Sequence, residues 1–403
     1  MKMRILIVTQ YFWPENFRIN DLALSLKSRG HYVVVLTGKP NYPKGTFPNG
    51  YSFFSKRVES WRNITIYRSL IIPRGKGTGL RLLINYISFV IFASLRLFFI
   101  RDKFDKIFVF APSPITVGIP GIVASKRFKA SMYLWVQDLW PASISAAGGI
   151  SNKHILKLVN IVTVMIYKHA RRILVQSKAF IPYIINQNID ERKLVYYPNS
   201  AEDFYVEMTP DVNLLNSLPE GRKIMFAGNI GHAQSFDTLL EAAVLLKNED
   251  IEVNWIVLGE GRLKDRVIEK IAKLNLQDTF YLLGGYPPKV MPYYFSCADA
   301  MLVSLKNDAI FSYTIPSKIQ SYLACGKPIL TSLNGEGSRI IQEAHAGLTS
   351  PSENPRALAE IVKSFFSLTA KERHEMGSNA GIYFKAEFER RLLTEKLEVI
   401  MSK

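Results

Sequence analysis

Pro316, Ser317 and Lys318 open a helical stretch within "TIPSKIQSYLACGKP" (314–328). Proline at the first turn pre-sets φ and gives up a donor that the helix would leave unpaired anyway. Lys318 then puts an ammonium where the helix dipole is already positive, a conflict of about 0.3–1 kcal/mol. A phosphate or diphosphate would turn that conflict into attraction, because it collects the Ser317 hydroxyl, the Lys318 ammonium and the free amides at one point. Two glycine loops point the same way. In "FAGNIGHAQS" (226–235) Gly228 and Gly231 let backbone approach a ligand between a strand and a helix, and His232 is placed to touch it. In "LGEGRL" (258–263) Glu260 and Arg262 stand at the lip of the next loop. Asp138, in "QDLWP" (137–141), ends a strand, where it either accepts a proton or hydrogen bond from a substrate hydroxyl or caps the following turn. The loop after the first strand, "YFWPENFRIND" (11–21), offers Glu15, Asn16 and Arg18 to a second ligand. No Asp-x-Asp pair occurs, so metal-independent chemistry is expected, with positive charge supplied by Lys318, helix N-termini and Arg262.

These residues sit between strands and helices that alternate along the chain. "RILIVTQ", "HYVVVLTG", "DKIFVFAP", "SMYLWVQD", "RRILVQS" and "KLVYYPN" are short apolar runs with helical stretches between them, the pattern of a doubly wound parallel sheet. Residues 201–221 lack a clear period and read as a linker. The alternation then restarts with "RKIMFAG", "VNWIVLGEG", "TFYLLGG", "ADAMLVSL" and "KPILTSL". The expected organisation is therefore an α/β domain over 1–200, a linker over 201–221, a second α/β domain over 222–380 and a C-terminal helix over 381–403. Open α/β sheets bind ligands at the carboxyl ends of their strands, so a cleft between the two domains is the expected place for two substrates.

Composition narrows the partners. Hydrophobic residues make up 48% of the 403 and charged residues 21%, enough for large cores and too apolar for disorder. The two cysteines, Cys297 and Cys325, are too few for a disulfide framework and fit a reducing, cytoplasmic compartment. The opening "MKMRILIVTQ" turns polar too soon for a signal peptide. The net charge of +17 divides into +21 over residues 1–200 and −4 over 201–403. A basic first half expects an anionic surface, and the chain carries no zinc finger, basic zipper or RNA-binding signature that would make nucleic acid the partner. "LRLLINYISFVIFASLRLFFIR" (80–101) points to lipid instead. Its charge-free run between Arg81 and Arg96 is 14 residues, short of the roughly 20 that span a bilayer. It reads either as a helix lying in the membrane interface, with Phe89, Phe92 and Phe98 toward lipid, or as a buried core helix.

The stretch 314–328 resembles the "PSK…GKP" segment of family 4 glycosyltransferases. "YFWPENFRIND", "GHYVVVLTG", "NYPKG", "VQDLWP", "PNSAEDFY" and "FAGNIGHAQSFDTLLEA" follow in family order, over nearly the whole chain. The resemblance is closest to bacterial enzymes that transfer N-acetyl-L-fucosamine in O-antigen or capsule repeat-unit assembly. It implies the GT-B fold, two Rossmann-like domains facing a cleft with C-terminal helices. It also implies a retaining glycosyltransferase with no cofactor, a UDP-sugar donor as substrate, and an undecaprenyl-diphosphate-type glycolipid acceptor. The enzyme would be peripheral on the cytoplasmic face of the membrane. Carried over by position, Ser317 and Lys318 face the donor diphosphate, Gly285 and Tyr286 lie where the base binds, and Asn229 stands where many members have arginine. The family's two glutamates, eight residues apart, fall at Tyr313 and Ser321. Ser321 would then take the ribose contact more weakly than a carboxylate, and Glu260 is the candidate replacement acid. A UDP-N-acetylhexosamine 2-epimerase of the same fold, or a membrane-associated binding partner without activity, are the alternatives.

Overall fold

The computed structural model describes residues 2–55, 57–146 and 152–402. The chain forms two compact units, Met1–Pro198 with Leu393–Lys403, and Asn199–Leu392.

The first unit is built on eight strands: β1 (Arg4–Val8), β2 (Tyr32–Gly38), β3 (Val58–Trp61), β4 (Ile64–Ser69), β5 (Lys106–Ala111), β6 (Ser131–Val136), β7 (Arg172–Val175) and β8 (Leu194–Tyr196). Their order is β3-β4-β2-β1-β5-β6-β7-β8, parallel throughout except for the β3–β4 hairpin. Ile5 to Val8 are wholly buried, as a strand covered on both faces by helices requires. The hairpin was not visible as alternation in the sequence. It turns on Arg62 and Asn63, both at positive φ, which matches the right-handed twist of the strands it joins. Strand order reverses between β1 and β5, so the loops after β1, β2 and β6 gather near that point.

The second unit is a six-stranded parallel sheet of β9 (Lys223–Ala227), β10 (Asn254–Leu258), β11 (Phe280–Gly284), β12 (Ala300–Ser304), β13 (Ile329–Ser332) and β14 (Gly347–Ser350). Its order is β11-β10-β9-β12-β13-β14, with the reversal between β9 and β12. Those two strands pair only at Ala300–Ile224 and Met301–Met225, so their carboxyl ends separate. The core on one face is formed by residues such as Phe226, Leu239, Trp255, Leu302 and Phe365.

Two expected boundaries move. Residues 203–217 belong to the second unit rather than to a free linker. Tyr205 stacks on Phe295 (6.0 Å, 7°), Arg390 pairs with Asp203 at 2.8 Å, and Asp211 caps a short helix, Val212–Ser217. The C-terminal helix expected over 381–403 is two helices, Ala370–Glu387 and Arg390–Ser402. The second of these puts Leu393, Leu397 and Met401 into the core of the first unit, and Glu398 meets His31 Nε2 at 2.7 Å and Arg29 at 2.8 Å.

The apolar segment after residue 80 is a helix, Gly79–Leu97, and it is not a core helix. It turns Asn85, Ser88, Phe89, Ala93 and Leu97 inward and leaves most of its larger aliphatic side chains outside. It is the single helix among the described residues long and apolar enough to cross a membrane by length and composition, with 28% of its apolar window buried.

Candidate functional site

In the second unit the site is assembled where β9 and β12 part. The helix Ser317–Ala324 follows β12 by way of a short helix, Ala309–Tyr313, and aims two side chains one turn apart at the end of β9. Tyr322 takes the place of the missing strand pairing. Its hydroxyl accepts from the Ala227 amide at 2.9 Å and donates to the Ala227 carbonyl at 3.2 Å. Lys318 lies above it. Its Nζ is buried, has no hydrogen-bond partner among the described residues, and sits 3.7 Å from the centroid of the Phe226 ring. The face of an aromatic ring attracts a cation but does not replace a counter-ion. Burial accordingly pushes the Lys318 ammonium down to about 7. Gly228 makes the room: at φ +147°, a Cβ there would stand 3.0 Å from Lys318 Nζ.

The glycine loops interlock through backbone. The Gly228 amide donates to Leu258 O (2.9 Å), Ile230 to Glu260 O (2.9 Å), Leu263 to Ile230 O (3.1 Å) and Gly259 to Gly284 O (2.7 Å). A Cβ on Gly259 would fall 1.8 Å from the Gly228 carbonyl oxygen, and one on Gly261 would fall 2.1 Å from that of Ile230. The carboxyl ends of β9, β10 and β11 are therefore one rigid rim. Gly231 is buried in it, Asn229 and His232 are exposed on it, and Asn229 reaches Gln234 at 3.5 Å. Ser317 is exposed at the first helical position, with amides that no cap satisfies.

Two expected donor contacts are already engaged elsewhere. The Ser321 hydroxyl is buried and donates back to Ser317 O at 3.3 Å, as helical serines commonly do, so it is spent within the helix. Glu260 is exposed and paired with Lys264 at 2.8 Å, and it also accepts from the Gly285 amide. Those contacts hold its carboxyl below the usual range and make it a tie between loops rather than a free replacement acid. Arg262 is exposed on the rim. Tyr286 packs against Tyr294 with ring centroids 4.6 Å apart, beside the exposed Gly285.

In the first unit Asp138 follows β6, half-buried, and accepts no hydrogen bond from a described residue. Among the described residues it caps no turn. Burial raises its carboxyl to about 6. Its electrostatic neighbour is Tyr86, whose ring meets that of Trp140 edge-on at 6.4 Å. Trp140 is 7% exposed, and its Nε1–H has no acceptor among the described residues. Alongside lies a second aromatic group: Tyr11 stacks on Phe17 (5.0 Å, 9°), Tyr42 tilts against both, and the Arg74 guanidinium lies 5.0 Å from the Tyr42 ring centroid. Charge interactions among Tyr11, Tyr86, Arg74 and Tyr42 join the two groups.

Glu15 does not face a ligand. It is buried and accepts from the Asn41 and Tyr42 amides at 2.7 Å each, which fixes the loop that carries Tyr42. Burial raises its carboxyl to about 7 against the opposing pull of those amides. Asn16 is exposed and Arg18 is half-buried at the start of the helix Arg18–Ser28. Phe226, Tyr322, Tyr86, Trp140, Tyr42 and Arg74 were not singled out from the sequence. Tyr322 stands four residues after Lys318 and Trp140 two after Asp138, and those spacings were the available signal.

Residues 214–381 match the family model described as "Glycosyl transferases group 1". Pseudomonas aeruginosa WbjE, named a probable glycosyltransferase, is 29% identical over 246 residues, 58% of this chain and 60% of that protein. Escherichia coli K12 WcaI, named "Putative colanic acid biosynthesis glycosyl transferase", is 26% identical over 80% of this chain and 82% of its own length. The solved structure of Anabaena HepE in complex with UDP superposes with a TM-score of 0.70 at 13% identity, covering 99% of this chain and all of that one. The two Rossmann-like units of this order have the GT-B fold, and the match to the glycosyltransferase family model falls within the unit that holds Lys318.

Proposed function

We propose that the protein transfers a sugar from a UDP-sugar to a lipid-diphosphate-linked acceptor sugar during assembly of a bacterial surface polysaccharide, with N-acetyl-L-fucosamine as the sugar moved. The observation that carries this reading is Lys318: a buried ammonium with no anionic partner among the described residues, at a helix start, in a notch opened by Gly228. A diphosphate supplies the missing charge and takes hydrogen bonds from the free amides at Ser317. As the bond to the sugar breaks, negative charge builds on the departing UDP, and a preorganised, water-poor donor of this kind stabilises that charge more than it stabilises the ground state. Asp138 receives a hydrogen bond from the acceptor hydroxyl, and the aromatic faces of Tyr42 and Trp140 receive the acceptor's sugar ring. The name of WbjE supports glycosyl transfer, that of WcaI supports it in colanic acid-type biosynthesis, and the UDP in the HepE structure supports a uridine donor.

The test is UDP release with a lipid-diphosphate N-acetylglucosamine acceptor and a panel of UDP-sugars, in EDTA. Acceptor-dependent release with one donor identifies the sugar and shows transfer without a divalent metal. Release without acceptor points to hydrolytic epimerase chemistry. UDP binding with no release from any donor supports the inactive binding partner.

A further inference from the structure

The first unit carries an apolar ridge on a helix that the sequence did not single out. The helix Lys153–His169 exposes Ile155, Leu158, Ile161 and Met165, Leu158 at 63% and Ile161 at 57% of full accessibility. The spacing of three, three and four puts these on one face. The helix Gly79–Leu97 carries a longer ridge of Leu80, Leu83, Ile87, Ile91 and Leu95, and the exposed Phe98 and Phe99 extend it. Both helices pack against one helix between them, Gly118–Phe128, so the ridges run on the same side of the sheet. Gly118 permits the close approach: a Cβ there would lie 2.4 Å from Ile166.

The charges carried by these helices have one sign. Residues 60–101, 107–137 and 139–189 contain no aspartate or glutamate. Those stretches include all three helices, and Lys126, Arg127 and Lys129 at the end of the middle helix, with Lys153, Lys157 and Lys168 on the outer one, are exposed. Arg127 also donates to the carbonyls of Leu97 (2.8 Å), Phe98 (3.2 Å) and Ile100 (3.0 Å), which fixes the aromatic end of the long ridge beside the basic group. An anionic bilayer surface asks for apolar ridges accompanied by cations, and these helices carry both. The long helix is held against the sheet rather than free to cross a bilayer. Its inner face is tied to the sheet through Gln10 to Asn85 (2.8 Å), Asn85 to the Ile72 carbonyl (2.5 Å) and the Ile72 amide to Ser88 (2.9 Å). Phe89 is wholly buried and stays in the core, against the lipid-facing reading of that residue.

We propose that the helices Gly79–Leu97 and Lys153–His169 together form a two-ridge surface that docks the first unit on an anionic lipid bilayer. The inference rests on the transferase reading only in that a lipid-linked acceptor gives docking a purpose. Its test needs no turnover. The full chain is sedimented with vesicles of phosphatidylcholine containing 30% phosphatidylglycerol, and with vesicles of phosphatidylcholine alone. Binding is expected to the first and to fall as salt is raised. The double substitution Leu158→Ser, Ile161→Ser alters two exposed positions. It is expected to weaken vesicle binding about tenfold or more, while UDP binding and thermal midpoint stay as in the parent. Lys126→Glu with Lys129→Glu is expected to abolish the preference for phosphatidylglycerol. Unchanged vesicle binding by the Leu158/Ile161 variant overturns the second ridge. A parent chain that ignores vesicles but self-associates, with the substitution restoring a monomer, overturns the lipid in favour of a contact between copies.

Discussion

In the second unit the reversal of strand order is lined mainly by backbone, and in the first it is lined by side chains. Gly228, Gly259 and Gly261 bring two loops into contact at distances a Cβ would forbid, and Lys318 is the charged group set into that rim. The first unit has the same kind of sheet reversal but dresses it with Tyr11, Tyr42, Tyr86 and Trp140 around Asp138. The difference suits the ligand proposed for each. A diphosphate is compact and highly charged, so amides and one ammonium recognise it and little else is needed. A sugar ring is neutral, with apolar faces and many hydroxyls, so it needs broad aromatic surface and directional acceptors.

If Lys318 is the charged group of the backbone-built site, its loss should produce the largest effect and should cost no stability. Lys318→Met is expected to lower turnover by at least about 100-fold, the usual consequence of removing a preorganised donor from a developing anion. The same change removes a buried cation with no hydrogen-bond partner among the described residues, so the ligand-free melting midpoint should rise. The sign can be followed with pH. Between about 7 and the ordinary lysine range the unfolded chain holds a proton that the folded one does not, so the parent gains stability as pH rises through that window. The advantage of the variant should therefore be greatest below about pH 7 and shrink above it. A variant that melts lower and keeps its activity would remove Lys318 from the site.

Asp138→Asn tests the side-chain-built site. Turnover is expected to fall about 100-fold or more while the UDP dissociation constant is unchanged, since a base in the first unit has no part in donor binding. In the parent, activity should decline as pH falls through about 6, because the carboxyl must be charged to take the hydroxyl proton. That acid limb should be absent in the variant.

The proton count on donor binding separates the two units further. A diphosphate beside Lys318 favours its charged form, so UDP binding takes up a proton wherever the empty site is neutral. Affinity should weaken as pH rises above about 7, approaching about tenfold per pH unit. Calorimetry in two buffers of different ionisation enthalpy measures the uptake directly. Lys318→Met should show none, and Asp138→Asn should show the parent's value.

The backbone-built site was the more legible in sequence for a physical reason. A glycine loop and a proline-started helix are local patterns, readable within fifteen residues. Gly228, Gly231, Ser317 and Lys318 were found that way. The doubly wound pattern was equally plain, because buried parallel strands are continuous apolar runs. Ser321 and Glu260 misled for the complementary reason: sequence position does not show that one hydroxyl is turned back into its helix or that one carboxylate is already paired. The aromatic site was hidden because its members come from the loops after β1, β2 and β6 and from the helix Gly79–Leu97, far apart in the chain. Glu15 attracted notice as an acid, yet its work is to hold the Asn41 and Tyr42 amides. The hairpin of β3 and β4 was missed because its turn uses Arg62 and Asn63 rather than the usual glycine.

The smallest expected effect belongs to Tyr42, the most exposed ring of the aromatic group at 44% accessibility. One face of it is occupied by Arg74, and its ring also leans on Tyr11 and Phe17, so it is held in place without being enclosed. Replacing it with leucine keeps much of the apolar area and removes the flat face. A stacking contact is worth about 0.5–1.5 kcal/mol, which amounts to about two- to tenfold in the acceptor KM. The UDP dissociation constant should not move, and neither should kcat at saturating acceptor, because Tyr42 is argued to orient a ring and not to touch the reacting hydroxyl. A change in kcat with constant acceptor KM would mean that Tyr42 acts by placing Asp138. A change in UDP affinity would break the separation of the two units' roles altogether.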